Sequence, residues 1–170
     1  MQGGGQMMMN PQLQAKFYAI DKNRSGRIAL QEIAMSYPQF KFPMKSAQML
    51  LRGITDLPFI DINTFPMFDS YINNFYAAFA RVSMGSPIIM AQQTVMALQS
   101  LQFPNLTPQS FNAVVSKFDS NKNGVDFGEF LAICAYILVC TRLISKYDTN
   151  KDGHLTVEIN GLLSLGLWFF

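Results

Sequence analysis

The fold of this chain is decided by the twelve-residue stretch Asp21-Lys22-Asn23-Arg24-Ser25-Gly26-Arg27-Ile28-Ala29-Leu30-Gln31-Glu32. Oxygen-bearing side chains stand at its first, third and fifth places, glycine stands at the sixth, and glutamate closes it at the twelfth. Leu13, Phe17 and Ile20 lead into the stretch at helical spacing, and a second helical pattern starts near Leu30. The stretch therefore predicts a ligand-bearing loop between two helices.

The spacing of these oxygens matches what a calcium ion needs. Calcium takes about six to eight oxygen ligands, and an EF-hand loop supplies them at positions 1, 3, 5, 7, 9 and 12, with glycine at position 6 for the sharp turn. We predict side-chain ligands from Asp21, Asn23 and Ser25. Arg27 would give its backbone carbonyl, and Glu32 would close the site with two oxygens. Position 9 is alanine, so a water molecule is expected there.

The affinity of this loop should be modest. Only two of its predicted ligands are carboxylates, and Lys22, Arg24 and Arg27 add positive charge beside them. Because EF-hand affinity is tuned by the charge of the ligands, we expect a sensor-range or weaker site.

A second stretch repeats the start of this loop but not its end. Asp119, Asn121 and Asn123 precede Gly124 at the right spacing, but Glu129 comes one residue too early for position 12. No single register satisfies both ends of this loop. Calcium binding with altered geometry and no binding both stay open.

A third stretch offers Asp148, Asn150, Asp152 and the carbonyl of His154. Its twelfth position is Ile159, which cannot give the two oxygens that close a calcium site. We therefore predict a weak site here. We interpret two further units as structural. Residues 56–65 lack the glycine and the closing glutamate, and residues 86–93 contain no acidic residue.

These units recur at intervals of about 30 residues, the size of one helix-loop-helix, called a hand below. The sequence predicts an all-α fold of EF-hand repeats with short β-pairing between loops. After a flexible Gly/Met tail at residues 1–10, we place a single domain at residues 11–170. Its hands lie near residues 13–37, 45–75, 70–100, 108–140 and 137–170.

One intact loop followed by four altered ones resembles the penta-EF-hand family, whose members include sorcin, grancalcin and the small subunit of calpain. The resemblance covers Pro11 to Phe170 and is most specific in the first loop and in Tyr147 to Val157. The EF-hand content and modest length are also similar to those of the grainins, calcium-binding proteins of protozoan granules. The resemblance implies a calcium-binding protein of five hands, of which the fifth binds calcium poorly. One departure is the third hand, usually a strong calcium site in the family, which has no acidic residue between Ser86 and Gln93.

The resemblance also implies that the fifth hand pairs with the fifth hand of a partner chain. An odd number of hands leaves the β-position at Leu155 and Thr156 without an intrachain mate, and an unpaired edge favours a partner. The apolar ending Leu162–Phe170 would be costly to expose in a monomer. We expect a homodimer or heterodimer through this region, with an intrachain core helix as the alternative for the ending.

The composition excludes several function classes. Of 170 residues, 49% are hydrophobic and 14% charged, and the formal net charge is +2. No basic run with interleaved aromatic residues suggests nucleic acid, and one histidine with no nucleophile or phosphate-loop motif argues against an enzyme. Cys134 and Cys140 read as buried free thiols, since their spacing suits no disulfide within one helix.

Two functions follow from these observations. The first is a calcium-responsive adaptor for protein or membrane targets in vesicle, granule or membrane-associated processes. The second is a constitutive structural dimer in which calcium only stabilises the fold. With no signal-peptide pattern at the amino terminus, we expect a cytoplasmic protein that associates reversibly with membranes or granules.

Overall fold

The computed structural model describes residues 10–37, 43–103, 106–119 and 122–166. Eight helices and four short strands lie in these ranges. The helices are α1 (Pro11–Ile20), α2 (Leu30–Met35), α3 (Met44–Ile54), α4 (Phe65–Ser83), α5 (Ala91–Ser100), α6 (Pro108–Phe118), α7 (Phe127–Tyr147) and α8 (Ile159–Gly166). The strands are β1 (Arg27–Ile28), β2 (Ile60–Asp61), β3 (Ile88–Ile89) and β4 (Val125–Asp126).

The helices form five successive helix-loop-helix units. Helix α4 ends the second hand and begins the third, and α7 ends the fourth and begins the fifth. This sharing explains how five hands are built from eight helices in the described ranges. The predicted all-α fold with short β-pairing is confirmed.

Local side-chain hydrogen bonds set the N-terminal ends of α1 and α6. Asn10 accepts a hydrogen bond from the backbone N–H of Gln12 at 2.9 Å and precedes a proline at the first helical position, a favoured helix start. The sequence places Asn10 in the flexible tail, but the structure makes it the N-cap of α1. Residues 1–9 of that tail lie outside the described residues. Thr107 caps α6 in the same way, accepting from the N–H of Ser110 at 3.2 Å.

Two antiparallel ladders join the hands in pairs. In the first, Ile28 lies opposite Ile60 and Arg27 opposite Asp61. The second ladder pairs β3 with β4, placing Ile89 opposite Val125. In each ladder the paired apolar side chains are fully buried, while the other pair faces outward, as side-chain alternation along a strand requires. The first and second loops are thus one unit, and the third and fourth loops another.

Helix α7 is the centre of the core and packs along α3. The two helices approach closely at Gly53, where an added Cβ would lie 2.9 Å from the Cβ of Leu138. By length and composition alone α7 could cross a bilayer, but 61% of its most apolar window is buried. Its apolar character is therefore explained by its place in the core.

The two cysteines both belong to α7 and are free thiols, in agreement with their spacing. Cys134 is fully buried and Cys140 is partly buried. Burial raises the pKa of both thiols. Since the thiolate is the reactive form, neither cysteine is set up as a nucleophile.

Candidate calcium site

The first loop is organised around the carboxylate of Asp21, which ends α1 and has 0% exposed surface. Its Oδ1 accepts a hydrogen bond from the N–H of Ser25 at 3.0 Å, and its Oδ2 accepts one from the N–H of Gly26 at 2.8 Å. Both carboxylate oxygens are thus turned into the loop. The chain after α1 folds back around them.

The oxygens predicted at positions 3, 5 and 7 lie next to this carboxylate. Asn23 Oδ1 accepts from the same N–H of Ser25, at 2.9 Å. The hydroxyl of Ser25 donates to the carbonyl oxygen of Arg27 at 2.8 Å and lies 3.4 Å from Asp21 Oδ1. The structure therefore brings four of the predicted ligand positions into one connected group.

The sharp turn between these residues depends on Gly26. Its φ is +74°, a left-handed conformation that costs energy for any residue with a Cβ. A Cβ built at this position would meet nothing within 4 Å. Glycine is needed here for its backbone freedom and not for space.

Glu32 is placed by the first turn of α2. Its Oε2 accepts a hydrogen bond from the N–H of Ala29 at 2.9 Å, so the carboxylate folds back to the start of its own helix. The side chain is partly buried. The predicted closing ligand therefore lies at the end of the loop in an ordered position.

These residues fit a hard cation. Asp21 is a fully buried carboxylate that forms no ion pair in the described part of the chain, and an uncompensated buried charge costs several kcal/mol. The candidate ligand atoms around it are all oxygens, which calcium prefers. No cluster of three or more His, Cys, Asp or Glu side chains occurs among residues 10–37, 43–103, 106–119 and 122–166. The first loop is not such a cluster, because the Asn23 amide, the Ser25 hydroxyl and the Arg27 carbonyl supply its other oxygens.

The second loop uses its acids for structure. Asp61 Oδ1 accepts hydrogen bonds from the hydroxyl of Thr64 at 2.7 Å, from the N–H of Thr64 at 2.8 Å and from the N–H of Asn63 at 3.1 Å. The hydrogen bond from the Thr64 hydroxyl is the main cause that lowers the pKa of Asp61. Asp56 forms ion pairs with Arg142 at 3.0 Å and Lys146 at 3.4 Å, which ties this loop to α7.

The third loop is closed by a side-chain amide. Gln93 stands where Glu32 stands in the first loop, and its Oε1 accepts from the N–H of Met90 at 2.9 Å. Its Nε2 donates to the carbonyl oxygen of Val82 at 2.9 Å, eleven residues back. We interpreted this unit as structural, but the amide bridge was missed. The signal for it was a glutamine at the closing position.

The fourth loop is formed at both ends although it is one residue short. Asp119 is buried and accepts from the N–H of Gly124 at 3.3 Å, as Asp21 does from Gly26. Glu129 Oε2 accepts from the N–H of Asp126 at 3.0 Å, which is the geometry of Glu32 with Ala29. Both ends are therefore formed in a loop one residue shorter than the standard one, which is why no single twelve-residue register contains both. The loop lacks one residue directly after Gly124, because Val125 takes the ladder position that Ile28 takes in the first loop.

Two other predicted ligands belong to this loop. Asn123 is exposed, and Asn121 lies outside the described residues. Phe130, the formal twelfth residue, is fully buried in the core and takes no part in the loop. Counting residues could not reveal that Glu129, and not Phe130, lies at the closing position, because this depends on the pairing of β4 with β3.

The fifth loop forms its first half only. Asp148 accepts from the N–H groups of Asp152 at 3.2 Å and Gly153 at 2.8 Å. Asp152 accepts from the N–H of His154 at 2.8 Å and from the amide of Asn150 at 2.7 Å, and these contacts, the His154 amide first, lower the pKa of Asp152. The twelfth position of this loop is Ile159, the first residue of α8, so the position that Glu32 holds in the first loop carries no carboxylate here.

Comparisons with known proteins agree with this geometry. Residues 13–34 match the family model described as EF hand. A sorcin from Schistosoma japonicum is 30% identical over 60 residues, which is 35% of this chain and 35% of that protein. The solved structure of a homolog of programmed cell death 6 protein from Leishmania major Friedlin has a TM-score of 0.65 at 20% identity. It covers 96% of this chain and 93% of that chain, so the likeness extends to all five hands.

Proposed function

We propose that this chain, a calcium-binding EF-hand protein with the penta-EF-hand fold, acts as a calcium-responsive adaptor for protein or membrane targets. The observation that carries the proposal is the group of oxygens around the buried Asp21 in the first loop. We assign the ligands of that loop to Asp21, Asn23, Ser25, the Arg27 carbonyl and Glu32.

The placement of these ligands suggests how calcium binding could change the protein surface. Asp21 follows the last residue of α1, and Glu32 lies in the first turn of α2. Calcium supplies two positive charges that both carboxylates can share, and sensor hands change the angle between their helices on binding. Tyr18 on α1 and Met35 on α2 are 51% and 67% exposed and would move with their helices. These side chains are candidates for the surface that a target contacts.

The fifth hand supports a proposal of pairing between chains. Leu155 and Thr156 form no strand within residues 122–166. On α8, Ile159, Leu162 and Leu163 are 67%, 56% and 64% exposed. Residues 167–170 of the predicted interface lie outside the described residues. Covering the apolar face of α8 would stabilise a dimer, whose second chain is a copy or a relative of this one.

We further propose a cytoplasmic location with reversible membrane or granule association, and no nucleic-acid partner. The net charge of +2 supports weak attraction to anionic membranes. It is too small and too dispersed for a nucleic-acid surface.

The second candidate is a constitutive assembly module. The amide bridge of Gln93 favours it for one half of the molecule, because the third loop is held closed without an ion. In that case calcium in the first loop raises the stability of the fold and does little else.

An apolar-surface dye separates the two candidates. The protein is mixed with the dye in chelator and then in calcium, beside the Glu32→Gln variant. The adaptor function predicts a calcium-dependent rise in fluorescence that the variant loses. An unchanged signal together with a higher melting temperature in calcium would instead support the assembly module.

A further inference from the structure

Helix α4 carries a buried carboxylate that belongs to none of the loops. Asp69 is 5% exposed and forms an ion pair with the ammonium group of Lys16 on α1. Its Oδ2 accepts a hydrogen bond from the side-chain amide of Asn73, one turn further along α4, at 2.9 Å. A carboxylate at this depth is costly without a cation, so the pairing with Lys16 favours a fixed contact between α1 and α4.

Aromatic packing lies directly beside this ion pair. Phe17, the residue after Lys16, meets Phe65 edge to face with 5.4 Å between the ring centres, and both rings are fully buried. Two adjacent residues of α1 therefore contact α4, one by packing and one by charge. Because apolar burial has no preferred direction whereas an ion pair joins two particular atoms, the ion pair fixes how α1 is rotated on α4.

The same part of α4 contacts the segment that follows α2. Tyr37, two residues beyond the end of α2, is buried, and its ring centre lies 6.4 Å from that of Phe68. Burial and, to a smaller extent, the negative charge of Asp69 raise the pKa of the Tyr37 hydroxyl, so this hydroxyl lies near the carboxylate. Asp69 is therefore close both to α1 and to the end of the first hand.

Lys16 and the first ligand of the calcium loop are carried by the same helix. Asp21 follows the last residue of α1 and lies about 7.5 Å beyond Lys16 along the helix axis. A rotation of α1 on α4 would therefore move the Asp21 carboxylate. Glu32 comes from the other helix of the hand, so the two carboxylates converge on one ion only if α1 keeps its orientation.

We propose that Lys16 and Asp69 are positioning residues of the first calcium loop: their ion pair fixes α1 on α4 and thereby places the carboxylate of Asp21. The inference rests on the proposed calcium site in this loop, and neither residue is itself a ligand. Without the ion pair, only a fraction of the molecules would hold α1 in the binding orientation. If that fraction is about a tenth to a third, calcium affinity falls about threefold to tenfold.

Charge alone predicts the opposite result when Lys16 is removed. Lys16→Met deletes a cation near the loop and leaves the negative charge of Asp69 without its partner, and both changes would attract calcium. Positioning predicts weaker binding. Lys16→Arg keeps a cation that can pair with Asp69 and should restore most of the affinity.

A double variant separates positioning from stability. Lys16→Met/Asp69→Leu leaves the net charge unchanged and buries no unpaired charge. Replacing a buried ion pair by apolar side chains of similar size is often neutral for the stability of the fold. This variant should therefore fold even if Lys16→Met does not, and should bind calcium about threefold to tenfold more weakly than the wild type.

The test is calorimetric titration of the wild type and these three variants with calcium, well below the melting temperature of each. A variant that is only less stable binds calcium normally while it is folded. Thr94→Val is the control for stability, because it removes a buried hydrogen bond of the third hand, from the Thr94 hydroxyl to the Met90 carbonyl oxygen at 3.0 Å. Lys45→Met, which removes an exposed cation on α3, is the control for charge. Both controls should bind calcium as the wild type does.

Each contrary outcome has its own meaning. Unchanged or tighter calcium binding in Lys16→Met and in the double variant would overturn the proposal and leave the calcium site intact. A loss of affinity in Thr94→Val as large as in the double variant would mean that affinity follows general stability, and would also overturn it. A wild type that binds no calcium would instead remove the proposed function, and the positioning role with it.

Discussion

The side-chain amide of Gln93 joins the two ends of the third loop by donating to the carbonyl oxygen of Val82 at 2.9 Å. Its own oxygen accepts from the N–H of Met90 at 2.9 Å, as Glu32 accepts from Ala29 in the first loop. The two loops thus share a closing geometry and differ in charge. A neutral amide can supply its own donor to the loop, whereas a carboxylate needs a cation. The third hand therefore keeps its shape without an ion.

Replacing Gln93 should destabilise the protein equally with and without calcium. Gln93→Leu removes two hydrogen bonds of the loop, which is expected to lower the free energy of unfolding by about 1–3 kcal/mol. Denaturant unfolding in calcium and in chelator measures the loss. The neighbouring Gln92→Leu, at an exposed position, serves as the control. A loss that appeared only in calcium would show that the third loop does bind an ion.

The glycines of the first and fourth loops should respond differently to alanine. Both have positive φ, but a Cβ at Gly124 would lie 2.4 Å from Ile88 Cγ2, whereas a Cβ at Gly26 meets nothing. Gly26→Ala should cost about 1–2 kcal/mol of backbone strain. Gly124→Ala should cost a further 1–3 kcal/mol or so, because the third loop must move away. Thermal unfolding compares the two variants, and equal losses would contradict the close approach of the third and fourth loops.

Acid stability should depend on the hydrogen bond between Thr64 and Asp61. The pKa of Asp61 is lowered in the folded protein, so its contribution is present above the unfolded pKa and is lost as pH falls through the folded value. Thr64→Val removes the hydroxyl and should return the pKa of Asp61 towards its usual value. Carboxyl titration by NMR measures this shift directly. Thr55→Val, which removes a hydroxyl elsewhere in the second loop, should leave the titration of Asp61 unchanged.

A charge on α8 should prevent pairing between chains. Leu162→Glu places a carboxylate in the exposed apolar face of the helix, where burial against a partner would require its desolvation. Sedimentation should show a dimer for the wild type and a monomer for the variant. Glu158→Gln, an exposed polar change just before α8, is the matched control. A variant that sediments as a dimer would place the interface elsewhere.

The first loop could be predicted from the sequence because its requirements are local. Ligand spacing, the turn at Gly26 and the closing Glu32 all lie within twelve residues, and the structure brings Asp21, Asn23 and Ser25 together as expected. Helix positions were predictable for the same reason, since apolar periodicity and caps are local signals.

The fourth loop shows where such reasoning stops. Counting gives two registers, each of which satisfies one end only. The structure keeps both ends, and the pairing of Val125 with Ile89 in another hand shows that the omitted residue lies after Gly124. That contact buries both side chains and leaves Glu129 at the loop-closing place. A ladder between distant segments sets the register, so no local pattern could have predicted it.

Calorimetric titration of the calcium-free protein with calcium, beside Glu32→Gln, tests the central claim most directly. We predict a binding event in the wild type that the variant loses, because the first loop would lack its closing carboxylate. Heat that survives unchanged in Glu32→Gln would contradict the assignment and move the calcium site to the loop that begins at Asp119 or at Asp148.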